Sequence, residues 1–256
     1  MSPKPTLLDR LLAPDGLRTW FQPIFDFSDG QARIRGAECL TRGLRGSNLE
    51  SADVLFSYAR EKRAEVVVDR TVVSRAVSAI EDLDEDLDYH LNVHASTLGL
   101  DPSFPEHLVA EGRKRGIAPS RITVEIVEAT AHLDQATFSA SVDSLREHGF
   151  TIALDDVGLG RSNYLMIYLT RPDVLKVDRF FVDQIGRDPL RHAVFVSIQR
   201  LGEELGARVI AEGVEREEDL EVLQDLGVQE FQGYLWSRPK PRESFLGELG
   251  SRSRVE

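Results

Sequence analysis

Cysteine is nearly absent from this chain. Cys39 is the only one in 256 residues, which excludes an intrachain disulfide and makes a reducing cytoplasm the simplest compartment. Long apolar runs are missing too. No segment approaches the roughly 18 apolar residues of a spanning helix, and Pro, Asp and Arg break the first ten residues before a signal peptide's apolar core could form. A soluble protein with no membrane partner is expected. Excess positive charge is also lacking: the formal net charge is -12, which argues against broad binding to DNA or RNA polymers. One small anion stays compatible, because metal ions or a few Arg and Lys can reverse a local field. No P-loop pattern occurs, and Gly158-Leu159-Gly160 lacks the third glycine of a dinucleotide fingerprint.

What the chain does have is alternation. Short runs rich in β-branched residues fall at 19–25, 33–40, 89–93, 122–127, 151–155, 174–177, 208–211 and 229–232. Amphipathic stretches such as 52–63, 103–115, 135–148, 190–205 and 217–226 lie between them. This order predicts a parallel sheet covered by helices. About eight strands in about 250 residues fit a closed (α/β)8 barrel of the TIM type better than an open doubly wound sheet. Periodicity alone does not exclude the open sheet. Gly149, Gly206 and Gly227 each follow a helical pattern and precede a strand, where a left-handed cap is needed. The acidic stretch 81–88 reads as a solvated helix end and loop, not a cation site.

The strands finish in polar residues. Glu38 lies in the second, Asn92 ends the third, and Glu125 lies in the fourth. Asp155 and Asp156 end the fifth, Lys176 and Asp178 the sixth, Glu212 the seventh and Gln232 the eighth. In a barrel the carboxyl ends of the strands converge, so these side chains would share one mouth. Clustered carboxylates raise one another's pKa unless a cation neutralises them. Oxygen donors without His or Cys suit Mg2+ or Mn2+ better than Zn2+. Consecutive Asp155-Asp156 could bridge two ions, an arrangement suited to displacement at phosphorus. Cys39 reads as a small buried hydrophobe in preference to a nucleophile. His90 and His94 flank Asn92 at strand period and read as packing residues, with His94 the nearer to a functional position.

In these residues the sequence resembles the EAL-domain family of cyclic di-GMP phosphodiesterases. The resemblance runs from about residue 19 to 239 with its motifs in order. It rests on Phe21-Gln22-Pro23-Ile24, Glu38-Cys39-Leu40-Thr41-Arg42, Leu91-Asn92-Val93 and Glu125-Ile126-Val127-Glu128. Asp155-Asp156-Val157-Gly158, Lys176-Val177-Asp178, Glu212-Gly213-Val214-Glu215 and Gln232-Gly233-Tyr234-Leu235 complete it. The resemblance implies one barrel domain over 1–256, with a core of about 17–242 and an antiparallel first strand. It implies two divalent ions, Mg2+ or Mn2+. Glu38, Asn92, Glu125 and Asp155 would hold one of them, and Asp155 would bridge to a second bound by Asp156. Glu212 would act on the second ion's side, Lys176 would handle the attacking water, and Gln232 would support that arrangement. Gln22 and Arg42 would contact the ligand, Arg42 at a phosphate. Glu128 would anchor the loop after Asp155-Asp156, which the family also uses in homodimers. Hydrolysis of cyclic di-GMP would give linear 5′-pGpG.

Several positions depart from the family pattern. Val157 stands where Phe is usual, Leu159 where Thr is, and Arg161 where Tyr is. Gly43 replaces a Trp, Val127 a Thr, His94 a Ser and Cys39 an Ala. Every ligand position is nonetheless filled. Two other readings therefore stand beside the hydrolase: a receptor that binds cyclic di-GMP without cleaving it, and an interaction module that has abandoned the nucleotide. Any input signal would come through a regulatory protein partner, dimerisation or a domain outside this sequence.

Overall fold

A computed structural model describes residues 5–84, 86–127, 134–159 and 163–252. Its strands are β1 (Arg18–Asp26), β2 (Arg33–Arg42), β3 (Asp88–His94), β4 (Ile122–Val127), β5 (Thr151–Val157), β6 (Val174–Val177), β7 (Arg208–Ala211), β8 (Glu230–Phe231) and β9 (Lys240–Pro241). The sheet runs β2-β3-β4-β5-β6-β7-β8-β1, and β1 pairs back onto β2, so eight strands close a barrel. β1 is antiparallel to both its neighbours, while β2 through β8 are mutually parallel. β9 adds to β1 on the outside.

Around the barrel lie α1 (Leu7–Leu12), α2 (Ala52–Glu61), α3 (Glu65–Ala79), α4 (Ala95–Leu100), α5 (Phe104–Lys114) and α6 (Gln135–Glu147). They continue as α7 (Asn163–Thr170), α8 (Arg179–Val182), α9 (Pro189–Leu205), α10 (Glu217–Asp225) and α11 (Arg242–Arg252). Asp188 caps α9 by accepting from the amides of Leu190 and Arg191, Pro189 opens it, and Gly206 closes it at φ 69°. Gly149 and Gly227 also take positive φ after their helices, as their positions required. α3 is the helix that local pattern hides best. Its β-branched Val66-Val67-Val68 and Val72-Val73 favour strand, yet Val68, Val72, Val73, Ala76 and Val77 share one buried face. Burial of that face overrides the intrinsic preference.

Strand period sorts the core into two layers. Residues such as Tyr89, Leu91, Val93, Val124, Ile126, Leu175 and Val177 face outward into the main core beneath the helices. Cys39 is buried in that same layer, a packing residue. Alternate residues face the barrel axis, where Ile24, Ala153, Val174 and Ile210 form an apolar plug. The rest of the interior is polar: His90, Glu125, Lys176, Glu230 and Gln232 are all buried. The acidic stretch 81–88 is largely exposed as expected, except that Asp88 enters β3 and accepts the Thr123 hydroxyl. Among the described residues no helix is long and apolar enough to cross a membrane.

Candidate active site at the barrel mouth

The polar strand ends meet above the apolar plug, around Lys176. Its Nζ lies 2.6 Å from Glu212, 2.9 Å from Glu125, 3.4 Å from Glu38 and 3.6 Å from Asp155. β2, β4, β5 and the residue just after β7 supply these carboxylates, and the side chain of Lys176 is 1% exposed. Glu38 is fixed from two further sides. Asn92 Nδ2 donates to its Oε1 at 2.7 Å, and Gln232 Nε2 donates to its Oε2 at 2.8 Å. Glu125 also faces His90, whose Nδ1 lies 2.6 Å from Oε1.

β5 carries the two consecutive aspartates. Side chains of neighbouring strand residues point to opposite faces, so a regular strand would present only one of them to the mouth. Here the register with β6 slips between Leu154 and Val157, and Asp156 adopts φ 51°. This bulge turns Asp156 round beside Asp155. One ligand oxygen from each of Asp155, Asp156 and Glu212 then lies within 4.8 Å of the others. A left-handed aspartate stores strain of order 1–3 kcal/mol, tolerated where the surroundings over-determine it. Part of that restraint comes from Gly158 at φ 109°. A Cβ there would stand 2.4 Å from the ring of Phe181, so α8 packs directly on the turn.

The electrostatics are unbalanced. Burial is the main force raising Asp155, to about 7; Lys176 opposes the rise, while Glu125, Glu38 and Asp156 add to it. Burial likewise lifts Glu212 well above the carboxylate range and raises Asp156. Glu125 goes the other way: burial would raise it, but Lys176 and His90 together outweigh the desolvation and hold it low. For His90, desolvation is overcome by Asp88 and Glu125, which raise the ring to about 9, so it is a second buried cation. Lys176 is raised despite its burial, by the carboxylates around it.

The donor set fits divalent cations. Asp155 Oδ1 is buried and accepts no hydrogen bond, the Lys176 ammonium standing 3.6 Å away, so a closer cation would offset its desolvation. Oxygen ligands without sulfur suit Mg2+, Mn2+ or Ca2+. The carboxylates divide into two groups here. Asp155, Asp156 and Glu212 form the cluster with metal-binding spacing, whereas Glu38, Asn92 and Glu125 are tied to one another through Lys176 and hydrogen bonds.

A cleft of about 390 Å3 opens beside this cluster, with Glu38, Asn92, Asp155 and Asp156 on one wall. Phe56 and His94 also line it, their ring centroids 4.4 Å apart. His94 is held from behind by Asp69, which is fully buried and accepts from its Nδ1 at 3.0 Å, its backbone amide and the Thr97 hydroxyl. Arg42 lies in an adjoining cleft with its guanidinium 5.2 Å from the Trp20 ring. The absent tryptophan after Arg42 has a steric reason. A Cβ at Gly43 would come 2.0 Å from the Leu49 carbonyl oxygen. Gln22 is buried across the β1–β2 pair from Glu38, and its Nε2 reaches the Ser237 carbonyl at 3.4 Å. Glu128 and Arg161 lie outside the described residues. The roles of His90 and Asp69 escaped the sequence reading. The strand-period spacing of His90 from Asn92 was the one signal pointing His90 inward.

A family model described as the EAL domain matches residues 7–239. The cyclic di-GMP phosphodiesterase PdeL of Escherichia coli is 25% identical over 248 residues, 95% of this chain and 68% of its own length. The solved complex of the Pseudomonas aeruginosa MucR phosphodiesterase with c-di-GMP superposes with a TM-score of 0.81 at 25% identity, covering 93% of this chain and 97% of that one. Bacillus subtilis YkuI, solved with c-di-GMP and calcium, gives a TM-score of 0.77 at 27% identity, covering 97% of this chain and 65% of that one. Uncharacterised mycobacterial relatives are 30% identical, and the chain spans only 40% of their length. With the whole barrel and its motifs inside the matched span, the chain belongs to the EAL domain family.

Proposed function

We propose that this protein is a metal-dependent phosphodiesterase that hydrolyses cyclic di-GMP to linear 5′-pGpG. The observation that carries the reading is the mouth itself: four carboxylates on one buried ammonium, with an Asp155 oxygen among them that accepts no hydrogen bond. Glu38, Asn92, Glu125 and Asp155 would hold one Mg2+ or Mn2+, and Asp155, Asp156 and Glu212 a second. Bound there, the ions would supply Lewis acidity at the phosphodiester and lower the pKa of the attacking water.

The chain's own residues account for the rest. Arg42 would pair with a phosphate of the cyclic dianion through its planar fork, with Trp20 holding the guanidinium in place. Gln22, at the same level as Glu38, would contact the ligand from β1. Lys176 would orient the water and stabilise charge on the attacking oxygen. Gln232 would keep Glu38 turned toward the site through its 2.8 Å hydrogen bond. Attack on one phosphorus breaks its bond to the 3′ oxygen, which takes a proton as the ring opens. Glu128 would anchor the loop that begins at Asp156.

Incubating the purified protein with cyclic di-GMP and either Mg2+ or Mn2+ should yield pGpG by chromatography. No turnover with either ion overturns the hydrolase, and calorimetric binding without product would establish the receptor reading. Placement of Asp156 beside Asp155 and Glu212, despite Val157 and Leu159, favours the enzyme. The reading extends to a cytoplasmic homodimer. Tyr164 and Tyr168 on α7, just after the loop, are 81% and 77% exposed and suit a second copy of the chain. Sedimentation at micromolar concentration tests this, and co-purification tests for a regulatory protein partner.

A further inference from the structure

His90 does not line the cleft, yet it touches Glu125 from inside the barrel. Its ring is 2% exposed and is gripped at both ends. Nδ1 lies 2.6 Å from Glu125 Oε1, and Nε2 lies 3.4 Å from Asp88 Oδ2. Asp88 is itself anchored, accepting the Thr123 hydroxyl at 2.9 Å on each oxygen and facing Arg208 at 3.7 Å. Arg208 in turn binds Glu230 with Nη1 at 2.5 and 2.7 Å. The imidazole thus sits on a base fixed by Thr123 and Arg208.

Glu125 needs such a partner. A glutamate's terminal torsion is broad and roughly two-fold, so hydrogen bonds must choose its orientation. Lys176 chooses poorly, because its ammonium is shared among four carboxylates and both Glu125 oxygens lie 2.9 Å from it. His90 contacts Oε1 alone. We propose that His90 is a positioning residue for Glu125: wedged between Glu125 and Asp88, it sets the carboxylate plane that Glu125 presents to a divalent cation. The inference rests on the proposed role of Glu125 as a ligand. Ligand carboxylates are commonly held by outer hydrogen bonds whose loss weakens metal affinity 10–100-fold.

Three substitutions separate positioning from mere packing. His90→Leu fills the space and removes both hydrogen bonds. His90→Asn leaves a donor near the position of Nδ1, toward Glu125. His90→Gln leaves one near Nε2, toward Asp88. Mn2+ titrated calorimetrically into the full chain should bind His90→Leu roughly 10–100-fold more weakly than wild type. His90→Asn should recover most of that loss and His90→Gln little of it. KM for cyclic di-GMP at saturating Mn2+ should stay near wild type, because His90 is outside the cleft. Thermal melts in EDTA read the packing effect separately. Wild-type Mn2+ affinity in His90→Leu overturns the inference, as does equal weakening in all three variants. If wild type binds no Mn2+, the metal-dependent reading falls as well. Unchanged variants against a binding wild type remove this inference alone.

Discussion

Replacing Lys176 with methionine keeps the side chain's reach and deletes its charge. Four carboxylates lie between 2.6 and 3.6 Å of the ammonium. At an effective dielectric near 20, the contact with Glu125, whose carboxylate is held low, amounts to about 5 kcal/mol of attraction. Most of that is cancelled by the cost of taking the charges out of water, and breaking a buried pair leaves a net loss of about 3–5 kcal/mol. For a chain of 256 residues, each kcal/mol moves the melting temperature by roughly 2–4 °C. The expected drop for Lys176→Met in EDTA is therefore about 6–20 °C. A divalent cation then does what the ammonium did, so added Mg2+ should raise the variant's melting temperature by more than it raises wild type's. Turnover should fall by about 10²–10⁴, the usual worth of a positioned proton-handling group. Scanning calorimetry with and without Mg2+ reads the first two effects and pGpG release the third. Equal stability of the two proteins in EDTA would refute the charge argument, and equal gains from Mg2+ would refute the cation site.

Asp155→Asn should abolish hydrolysis while raising metal-free stability by about 1–3 kcal/mol at pH 8, because it removes a buried carboxylate that Glu125, Glu38 and Asp156 crowd; urea unfolding in EDTA tests the gain. Gly158→Ala puts a methyl group against Phe181 at a φ that L residues rarely adopt. A cost of about 1–3 kcal/mol is expected, with weaker cation binding as Asp156 shifts, whereas Gly206→Ala, with open space at its Cβ, should leave cation binding unchanged. The bidentate pair of Arg70 with Asp101, at 2.6 and 2.9 Å, serves as a pH probe away from the mouth. Burial would raise Asp101, but Arg70 and Ser103 hold it below its ordinary 3.8. A depressed carboxylate contributes stability above its unfolded pKa and loses it as pH falls. Arg70→Met should therefore cost about 1–3 kcal/mol at pH 5–8, and the gap to wild type should close below about pH 4.

Local pattern reaches a long way into this protein. Alternation of two along β4 and β6 marks Glu125 and Lys176 as facing opposite to Val124, Ile126, Leu175 and Val177, whatever the rest of the chain does. Glycines at 149, 206 and 227 mark helix ends because the left-handed conformation there is a property of a single residue. α3 shows the limit, since its valines favour strand until a barrel wall exists to bury them.

The sequence alone determined the alternating elements, the polar strand ends and the order of the motifs, because each depends on neighbours a few residues apart. Tertiary structure decided what those residues do to one another. The bulge that brings Asp156 beside Asp155 and the grip of His90 on Glu125 across 35 positions arise only in the tertiary structure. Burial then shifts the carboxylates and leaves Asp155 without a donor. Such effects follow from distance and desolvation between segments remote in sequence, and no local periodicity records them.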